Sequence, residues 1–379
     1  MAKKRVLIFI DWFLPGSKSG GPVRSVANLL AHLGNEIEFS VVTRDTDYTS
    51  KHRYSDVDSD AWNETAYGAR VYYVSEPNLN RDTINRLLTE TKYDHVYLNG
   101  IWSQPFTIWP LEFLKGTPVP VTVAVRGMLA PSALAIKAVK KKLFLMYAKW
   151  KGYFSNVTFH ATTAKEAVEV RSAFGNNAKV KVAGNLPRKI QPADFPRHPK
   201  EKGVAHLVNI ARIAPEKNTL YAIECLHHIG SHSELDIFGP QYDNDYMEAC
   251  RYASKSVPVN TTVHFNEALD PQEAMKALSQ FNLLFLPTRG ENFGHVILEA
   301  LQVGTPVLIS DQTPWKNLAE HKAGWELPLD DPKAFGAIID KVAAMDQAEY
   351  DEWSRGAKEF AARYANDEKL IGLSRNLFS

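Results

Sequence analysis

The chain contains 379 residues, a length that suits about two domains. Its 44 lysine and arginine residues are matched by 43 aspartate and glutamate residues, so its net charge gives no argument for nucleic-acid binding. Only two cysteines occur, Cys225 and Cys250, which excludes a disulfide scaffold and a cysteine metal site.

The first apolar run, residues 6–10, is too short for a signal peptide and stops at Asp11, so we interpret it as a strand. No uninterrupted apolar run approaches the ~20 residues that a membrane-spanning helix needs. We therefore expect a soluble, cytoplasmic protein.

The first half of the chain alternates apolar runs with helical periodicity, which predicts a mostly parallel sheet covered on both faces. The predicted strands are 5–10, 37–43, 70–74, 95–98, 119–125, 158–162 and 179–182. The predicted helices are 22–33, 83–91, 132–150 and 164–174. Residues 185–203 are rich in proline and charge and lack periodicity, which indicates a linker.

The second half repeats this rhythm, which predicts a second parallel sheet with its own helices. Its predicted strands are 205–211, 235–238, 262–265, 283–286 and 306–309. Its predicted helices are 215–228, 242–254, 271–280, 294–303, 313–320 and 332–344, followed by a polar helical tail at 348–378.

The stretch 281–311 is the most informative part of the chain. An apolar helix lies between two short apolar runs, and Glu299 sits in the middle of that helix. A carboxylate there is costly unless something bonds to it. Glu299 therefore either joins a buried ion pair or accepts hydrogen bonds from two neighbouring hydroxyls, as a ribose provides.

The turn before this helix contains Glu291 between Gly290 and Gly294. The glycines let the backbone approach a ligand, and the start of the helix offers N–H groups and a positive dipole end that suit a phosphate. Helical side chains lean toward the N-terminus, so Glu299 points back to the same place. Glu291 could hold sugar hydroxyls on the other side of a diphosphate.

Two further loops follow predicted strands. Gly20 and Gly21 precede a helix, where they form either a phosphate-binding turn or an ordinary flexible loop. Arg212 and Lys217 follow a strand of the second half, at the edge where open α/β sheets bind ligands. They either neutralise a departing diphosphate or are solvated surface cations.

The run GENFGHVILEALQVGTPVLISD, residues 290–311, resembles the signature of retaining GT-B glycosyltransferases, especially glycosyltransferase family 4. In that family the first glutamate of the E-x7-E motif, here Glu291, contacts the donor sugar, and the second, here Glu299, binds the ribose. By the same resemblance, the backbone of Asn292, Phe293 and Gly294 faces the donor sugar and phosphates.

The resemblance covers most of the chain. The R-x4-K pattern is similar to the family's diphosphate-binding pair, which implies that role for Arg212 and Lys217. Gly20 and Gly21 resemble a glycine pair that lines the family's cleft. Gly239, at the end of a predicted strand, would let the backbone approach the nucleotide.

The implied fold is α/β and GT-B, with two Rossmann-like doubly wound domains that face each other across a cleft. The acceptor-side domain would span 1–186, the linker 187–203 and the nucleotide-sugar domain 204–350. C-terminal helices at 351–379 would pack back on the first domain.

The implied activity is retaining transfer of a sugar from a UDP- or GDP-linked donor to a glycan or lipid-linked acceptor, in bacterial surface polysaccharide assembly. We expect no metal and no other cofactor, because Arg212, Lys217 and the helix dipole would stabilise the leaving diphosphate. A GT-B epimerase, a phosphorylase and a non-catalytic sugar-nucleotide-binding module are the alternatives.

On the acceptor side, Asn99, Trp102 and Arg126 follow neighbouring strands, where the family's first-domain loops meet the donor and acceptor. Many relatives have histidine at the positions of Asn99 and Arg126, and neither side chain present here is a general base at neutral pH. Arg126 either binds a phosphate or carboxylate bidentately or forms a structural ion pair.

Three features have structural alternatives to a role in the site. His160 is expected in the core, and Thr163 with Glu166 fits a helix capping box. A helix at 137–151 combines lysines with large apolar residues. It either docks on anionic lipid or presents a solvated face over an ordinary core stripe.

Overall fold

The computed structural model describes residues 3–135, 138–189 and 195–379. The chain divides into two compact units, the first comprising Met1–Lys189 and Asp367–Ser379 and the second comprising Ile190–Asn366. Each unit contains one sheet whose strands alternate with helices along the chain. The predicted α/β class with two doubly wound, Rossmann-like domains is confirmed.

The described part of the first unit has an eight-stranded sheet. Its strands are β1 (Lys4–Phe9), β2 (Ile37–Arg44), β3 (Trp62–Glu64), β4 (Ala69–Val74), β5 (His95–Asn99), β6 (Val121–Ala124), β7 (Val157–Ala161) and β8 (Lys179–Val182). The strand order is β3-β4-β2-β1-β5-β6-β7-β8, and only the edge strand β3 is antiparallel to its neighbour.

The helices of this unit connect the parallel strands. They are α1 (Gly21–Leu33), α2 (Arg81–Glu90), α3 (Trp109–Leu114), α4 (Pro131–Ala135), α5 (Ala138–Lys151) and α6 (Ala164–Phe174). A π-helical turn, Gln104–Ile108, leads into α3.

The second unit has a six-stranded, fully parallel sheet. Its strands are β9 (Val204–Ile210), β10 (His232–Phe238), β11 (Thr261–Asn266), β12 (Leu283–Leu286), β13 (Val307–Ser310) and β14 (Gly324–Leu327). Its helices are α7 (Thr219–Cys225), α8 (Asn244–Ser254), α9 (Pro271–Gln280), α10 (His295–Val303), α11 (Pro332–Ala344) and α12 (Gln347–Ala365). The strand order is β11-β10-β9-β12-β13-β14.

Strand β12 shows why its apolar run requires helices on both faces. Leu283 and Phe285 pack in one core with α7, α8 and α11, while Leu284 and Leu286 pack in a second core with α9 and α10. Neighbouring side chains of a strand point to opposite faces, so a continuous apolar run is buried only in a three-layer arrangement. The carboxyl ends of the strands are then the edge where loops can form a site.

Two helices differ from their prediction. The helix predicted at 215–228 begins at Thr219, because Asn218 takes a left-handed conformation with φ 61° at the end of a turn. The segment predicted as a helix at 313–320 forms bends and turns instead. There Asn317 has φ 59°, and the Glu326 carboxylate accepts the backbone N–H of Asn317 at 2.7 Å.

Two predicted segments fall partly outside the described residues. The helix predicted at 132–150 corresponds to α4 and α5, with residues 136–137 between them outside the description. Lys137 of the predicted basic helix is therefore not described. Residues 190–194 of the predicted linker also lie outside, and its described remainder has no helix or strand.

The C-terminal boundary differs from the predicted one. We expected 351–379 to pack on the first domain, but α12 packs on α10 within the second unit. Only Asp367–Ser379 joins the first unit, beginning with α13 (Glu368–Arg375). There the buried ring of Phe378 lies 5.9 Å from that of Phe39.

Candidate active site

In the sheet of the second unit, β9 lies between β10 and β12. The strand order therefore reverses at β9, because the chain continues first to one side of it and then to the other. Open α/β sheets bind ligands outside the carboxyl ends of their strands, at such a reversal of strand order. The loops that follow β9 and β12 contain the predicted donor residues Arg212, Lys217 and Glu291.

Hydrogen bonds join these two loops. The buried Asn218 donates from Nδ2 to the Pro287 carbonyl at 3.0 Å. The carbonyl of Glu216 accepts the backbone N–H of Arg289 at 3.0 Å and the hydroxyl of Thr288 at 2.9 Å. These hydrogen bonds hold the loop after β9 against the loop after β12.

Lys217 and Glu291 form an ion pair across these loops. The Lys217 Nζ lies 2.5 Å from Glu291 Oε2, and each side chain is 17% exposed. Arg212, on the same turn as Lys217, places Nη2 3.1 Å from Glu216 Oε1, and this second pair is about half exposed. The sequence predicted two cations at this edge, and the structure adds a carboxylate partner for each.

The start of α10 lies beside the Lys217–Glu291 pair. Gly294 precedes the helix with φ 76°, and a Cβ at that position would lie 3.0 Å from Cγ of Glu291. The first N–H groups of a helix have no partner within it, and the helix dipole is positive at that end. Lys217 and the N-terminus of α10 therefore both lie beside Glu291, while Arg212 stands five residues before Lys217 in the same loop.

The backbone just before α10 is fixed from the core side. The ring of Phe293 is buried and packs 5.3 Å from that of Trp315, whose Nε1 donates to the Phe293 carbonyl at 2.5 Å. Asn292 is half-buried beside it. The side chain and the carbonyl of Phe293 thus anchor the loop. The contact of the Asn292, Phe293 and Gly294 backbone with the donor stays a prediction.

Glu299 is only 4% exposed. The other buried residues of α10 are mostly apolar and include Ile297, Leu298, Ala300 and Leu301. The Cα of Glu299 lies about 7.5 Å along the helix from Gly294, and its side chain leans toward the helix start. The predicted burial of this carboxylate is confirmed, and its ribose-binding role stays a prediction.

Gly239 has a packing role that the sequence did not reveal. A Cβ on Gly239 would lie 1.8 Å from the carbonyl oxygen of Ala211, so the chain after β10 passes directly against the chain after β9. Because backbone cannot yield as a side chain does, glycine is required here even without a nucleotide. The predicted nucleotide contact of Gly239 is untested.

In the first unit, the corresponding reversal of strand order lies between β1 and β5. Gly20 caps α1 with φ 74° and open space where a Cβ would be, while Gly21 is the first helical residue. The preceding loop is held by Asp47, whose carboxylate accepts the N–H groups of Ser17 at 3.1 Å and Lys18 at 3.3 Å. This restraint argues against an ordinary flexible loop.

Arg126 is the centre of a hydrogen-bond network in the first unit. Its guanidinium donates to Asn99 Oδ1 at 2.8 Å, to Asn185 Oδ1 at 2.7 Å and to the Tyr97 hydroxyl at 2.8 Å. All three partners are neutral, so these hydrogen bonds orient the guanidinium without an ion pair, and the two roles predicted for Arg126 stay predictions. Its backbone is left-handed, with φ 55°, which is uncommon for a residue with a side chain.

The network continues into the core through Tyr97 and His160. The Tyr97 hydroxyl lies 2.8 Å from His160 Nδ1, and His160 Nε2 lies 2.8 Å from the Ala183 carbonyl. Burial, followed by the Arg126 charge, lowers the pKa of His160 to about 3. His160 is therefore a neutral core residue, as the sequence predicted.

One of the two hydrogen bonds of the capping box predicted for α6 is present. The Thr163 hydroxyl caps Glu166 N at 3.1 Å, but the Glu166 carboxylate instead accepts N–H groups from Thr162 and Gly127, each at 2.5 Å. Glu166 therefore joins the end of β7 to the turn that carries Arg126.

Trp102 is half-buried and faces α5. Its ring lies 5.3 Å from that of Phe144, and Lys141 Nζ lies 5.7 Å from its centroid.

Asp11 has a partly buried carboxylate beside Ser103, the residue that follows Trp102. Burial raises the pKa of Asp11, although the Ser103 hydroxyl donates to its carboxylate at 2.8 Å. The sequence did not single out Asp11, Asn185 or Asn218, because each acquires its role only through distant partners.

Among the described residues, no group of three or more His, Cys, Asp or Glu side chains is placed to hold a metal ion. In the same residues, every helix is too short or too polar to cross a bilayer.

The two parallel-sheet units define the GT-B class of fold, as comparison with solved structures shows. Sucrose-phosphate synthase from Thermosynechococcus elongatus matches 100% of this chain and 99% of its own, with TM-score 0.70 and 17% identity. Anabaena HepE in complex with UDP and glucose matches 99% of this chain and 98% of its own, with TM-score 0.68 and 13% identity. An E. coli trehalose-6-phosphate protein bound with UDP-2-fluoro glucose covers 99% of each chain, with TM-score 0.70 and 10% identity.

A family model matches most of the second unit. Residues 190–360 match the model of the family described as glycosyl transferases group 1. This segment contains both glutamates of the E-x7-E motif as well as Arg212 and Lys217. Together, the match and the fold support a glycosyltransferase of this group. The search of curated proteins gave no match.

Proposed function

We propose that this protein is a retaining, metal-independent glycosyltransferase of family 4. It would move a sugar from a UDP- or GDP-linked donor to a glycan or lipid-linked acceptor in bacterial surface polysaccharide assembly. The observation that carries the proposal is the Lys217–Glu291 ion pair at the start of α10, on loops that follow β9 and β12. It joins a phosphate-binding cation to a carboxylate that can accept sugar hydroxyls.

The ion pair suggests how the donor is bound. The diphosphate competes for Lys217, and Glu291, released from its partner, accepts hydrogen bonds from the hydroxyls of the sugar. Arg212 exchanges the half-exposed Glu216 for phosphate in the same way. Glu291 gains the sugar hydroxyls in place of Lys217, and the half-exposed Glu216 returns to water when it loses Arg212, so neither carboxylate is left buried and unpaired.

The same groups favour the reaction. The bond between the sugar's anomeric carbon and the diphosphate oxygen breaks while the acceptor oxygen bonds to that carbon on the same face. Negative charge grows on the departing diphosphate, which takes up the acceptor's proton. Lys217, Arg212 and the N-terminus of α10 stabilise that charge more in the transition state than in the donor.

Other residues supply orientation. Glu299 binds the ribose hydroxyls. The N–H group of Gly20 donates to the Ser17 carbonyl at 2.9 Å, so Gly21 supplies the backbone N–H group of this turn, while Gly20 has no side chain and lets a ligand approach. Asn99, Trp102 and Arg126 contact the acceptor. Arg126 would do so through the N–H groups that remain after its bonds to Asn99, Asn185 and Tyr97.

The test begins with thermal shifts against UDP and GDP, followed by turnover of the matching nucleotide sugars with water or a glycan as acceptor. We expect Lys217→Ala to lower turnover by about a hundredfold or more. The matched control is Lys276→Ala, at an exposed position of α9, which should leave turnover unchanged. Nuclear magnetic resonance of the product then reads the anomeric configuration.

Each alternative gives a different result. An epimerase changes the donor sugar without any acceptor, a phosphorylase requires inorganic phosphate, and a binding module shifts the melting temperature without turnover. Equal turnover in Lys217→Ala and Lys276→Ala would also overturn the proposal.

A further inference from the structure

Helix α5, Ala138–Lys151, has a cluster of large apolar side chains on the protein surface. Their exposed fractions are 74% for Val139, 56% for Leu143, 52% for Met146, 47% for Tyr147 and 78% for Trp150. In the rest of the described chain, exposed large apolar side chains are spaced at least six positions apart in the sequence. A contiguous exposed apolar surface marks an interaction site more often than scattered residues do. We call these five residues the α5 stripe.

The spacing of the α5 stripe places it on one side of the helix. At 3.6 residues per turn, positions 139, 143, 146, 147 and 150 fall within an arc of about 100°. Phe144, Leu145 and Ala148 fall on the opposite side, where Ala148 is fully buried and the other two pack on the core. Helix α5 is thus apolar on two opposite faces, and the rest of the first unit covers only one of them.

Lysines border the stripe on both sides. By the same helical geometry, Lys140 and Lys151 lie along one border, and Lys142 and Lys149 lie along the other. All four are exposed, and Lys151 Nζ lies 4.9 Å from the ring of Trp150. Long lysine stems can lie along apolar surface while their ammonium groups reach outward.

The sequence around α5 supplies no acidic residue to balance these lysines, and of the two carboxylates that flank this stretch Glu112 interacts with Lys151. No aspartate or glutamate occurs between Glu112 and Glu166, although the whole chain is almost neutral. An apolar stripe between two rows of lysines is the pattern of a helix that lies in the headgroup region of a bilayer. Lysine is depleted in protein–protein interfaces, which makes a protein partner the weaker explanation.

We propose that α5 docks this protein on anionic lipid bilayers. The α5 stripe enters the headgroup boundary, Trp150 and Tyr147 sit at the interface, and the four lysines bind lipid phosphates. The attachment is peripheral and depends on salt, because much of its strength is electrostatic. It does not rest on the proposed transfer reaction, since it needs neither donor nor acceptor.

The experiment is co-sedimentation of the full chain with vesicles of phosphatidylcholine alone or mixed with phosphatidylglycerol, at low and high salt. We expect binding to the mixed vesicles that weakens as salt rises. Lys142→Glu with Lys149→Glu should weaken it by about thirtyfold or more, since each lysine near an anionic surface is worth about a factor of five. Leu143→Ser with Trp150→Ser should weaken it at every salt concentration.

The matched control is Tyr252→Ser, which replaces an equally exposed aromatic residue of α8 in the second unit. It should bind vesicles as the unchanged protein does, and nucleotide-induced thermal shifts should be the same in all variants. Three results would overturn the proposal: no binding to mixed vesicles, equal binding by control and stripe variants, or a concentration-dependent dimer that the stripe variants abolish.

Discussion

Lys217 Nζ and Glu291 Oε2 lie 2.5 Å apart although the two residues follow different strands of the second sheet. The ion pair therefore has two roles that can be separated. It joins two loops of the second unit, and each of its members is proposed to bind a different part of the donor.

Exchanging the two charges separates these roles. The double variant Lys217→Glu with Glu291→Lys keeps an ion pair, so we expect a melting temperature close to that of the unchanged protein. The cation and carboxylate have changed places, so turnover should fall by about a hundredfold or more. Calorimetry and a donor-turnover assay measure both effects, and a fully active exchanged variant would contradict the donor-binding roles.

Glu299→Gln tests ribose recognition. A carboxylate that accepts hydrogen bonds contributes about 1.5–3 kcal/mol, so UDP or GDP binding should weaken by about tenfold or more. Inorganic pyrophosphate has no ribose, and its affinity should stay the same. Isothermal titration with both ligands is the measurement, and equal losses for both would show that Glu299 acts on the fold instead.

Gly239→Ala should destabilise the second unit. The new Cβ would lie 1.8 Å from the Ala211 carbonyl oxygen, which forces the ends of β9 and β10 apart at a cost of about 1–3 kcal/mol or more. Gly290→Ala is the matched control, because nothing lies within 4 Å of a Cβ there. Urea unfolding of both variants tests this, and equal stability would argue against the packing role.

Buried histidines of the first unit should make the protein sensitive to acid. Burial lowers the pKa of His160 to about 3 and that of His95 to about 4, from an ordinary value of 6.5. As pH falls below about 6.5 the unfolded chain binds protons that the folded chain does not, so stability falls toward the folded pKa values. His160→Gln removes one such site, and its unfolding free energy should fall less steeply between pH 6.5 and 4. An unchanged slope would contradict this assignment.

Phe378→Ala should destabilise the first unit. The buried ring contacts Phe39, His95 and Tyr97, and removing a buried phenylalanine ring costs about 3–5 kcal/mol. Leu373→Ala, at an exposed position of α13, is the matched control. Calorimetry should resolve a lower melting temperature for the first variant alone, and similar values for both would contradict the packing seen here.

The sequence predicted most of the second unit because its signals are local. The runs 283–286 and 271–280 were predicted with the bounds that the structure has, since a buried strand and a capped helix are each specified by their own residues. Glu291 and Glu299 were singled out because a glycine-bracketed turn and an apolar helix surround them and because this run resembles a family signature.

What the sequence missed depends on contacts between distant residues. The neutral partners of Arg126 come from positions 97, 99 and 185, which no local pattern connects. The segment 313–320 has helical periodicity, yet the Glu326 carboxylate binds its backbone N–H groups and prevents a helix. The strand β14 that carries Glu326 was not predicted either, so this competition could not be foreseen.

The packing of Phe378 has a consequence for biosynthesis. Ribosomes add residues from the N-terminus, so Phe39, His95 and Tyr97 emerge well before the aromatic ring that fills the space between them. All of Ile190–Asn366 is translated in that interval. Until Phe378 has been synthesised, the first unit lacks the side chain that fills this part of its interior, and transiently exposed apolar surface of that kind favours aggregation.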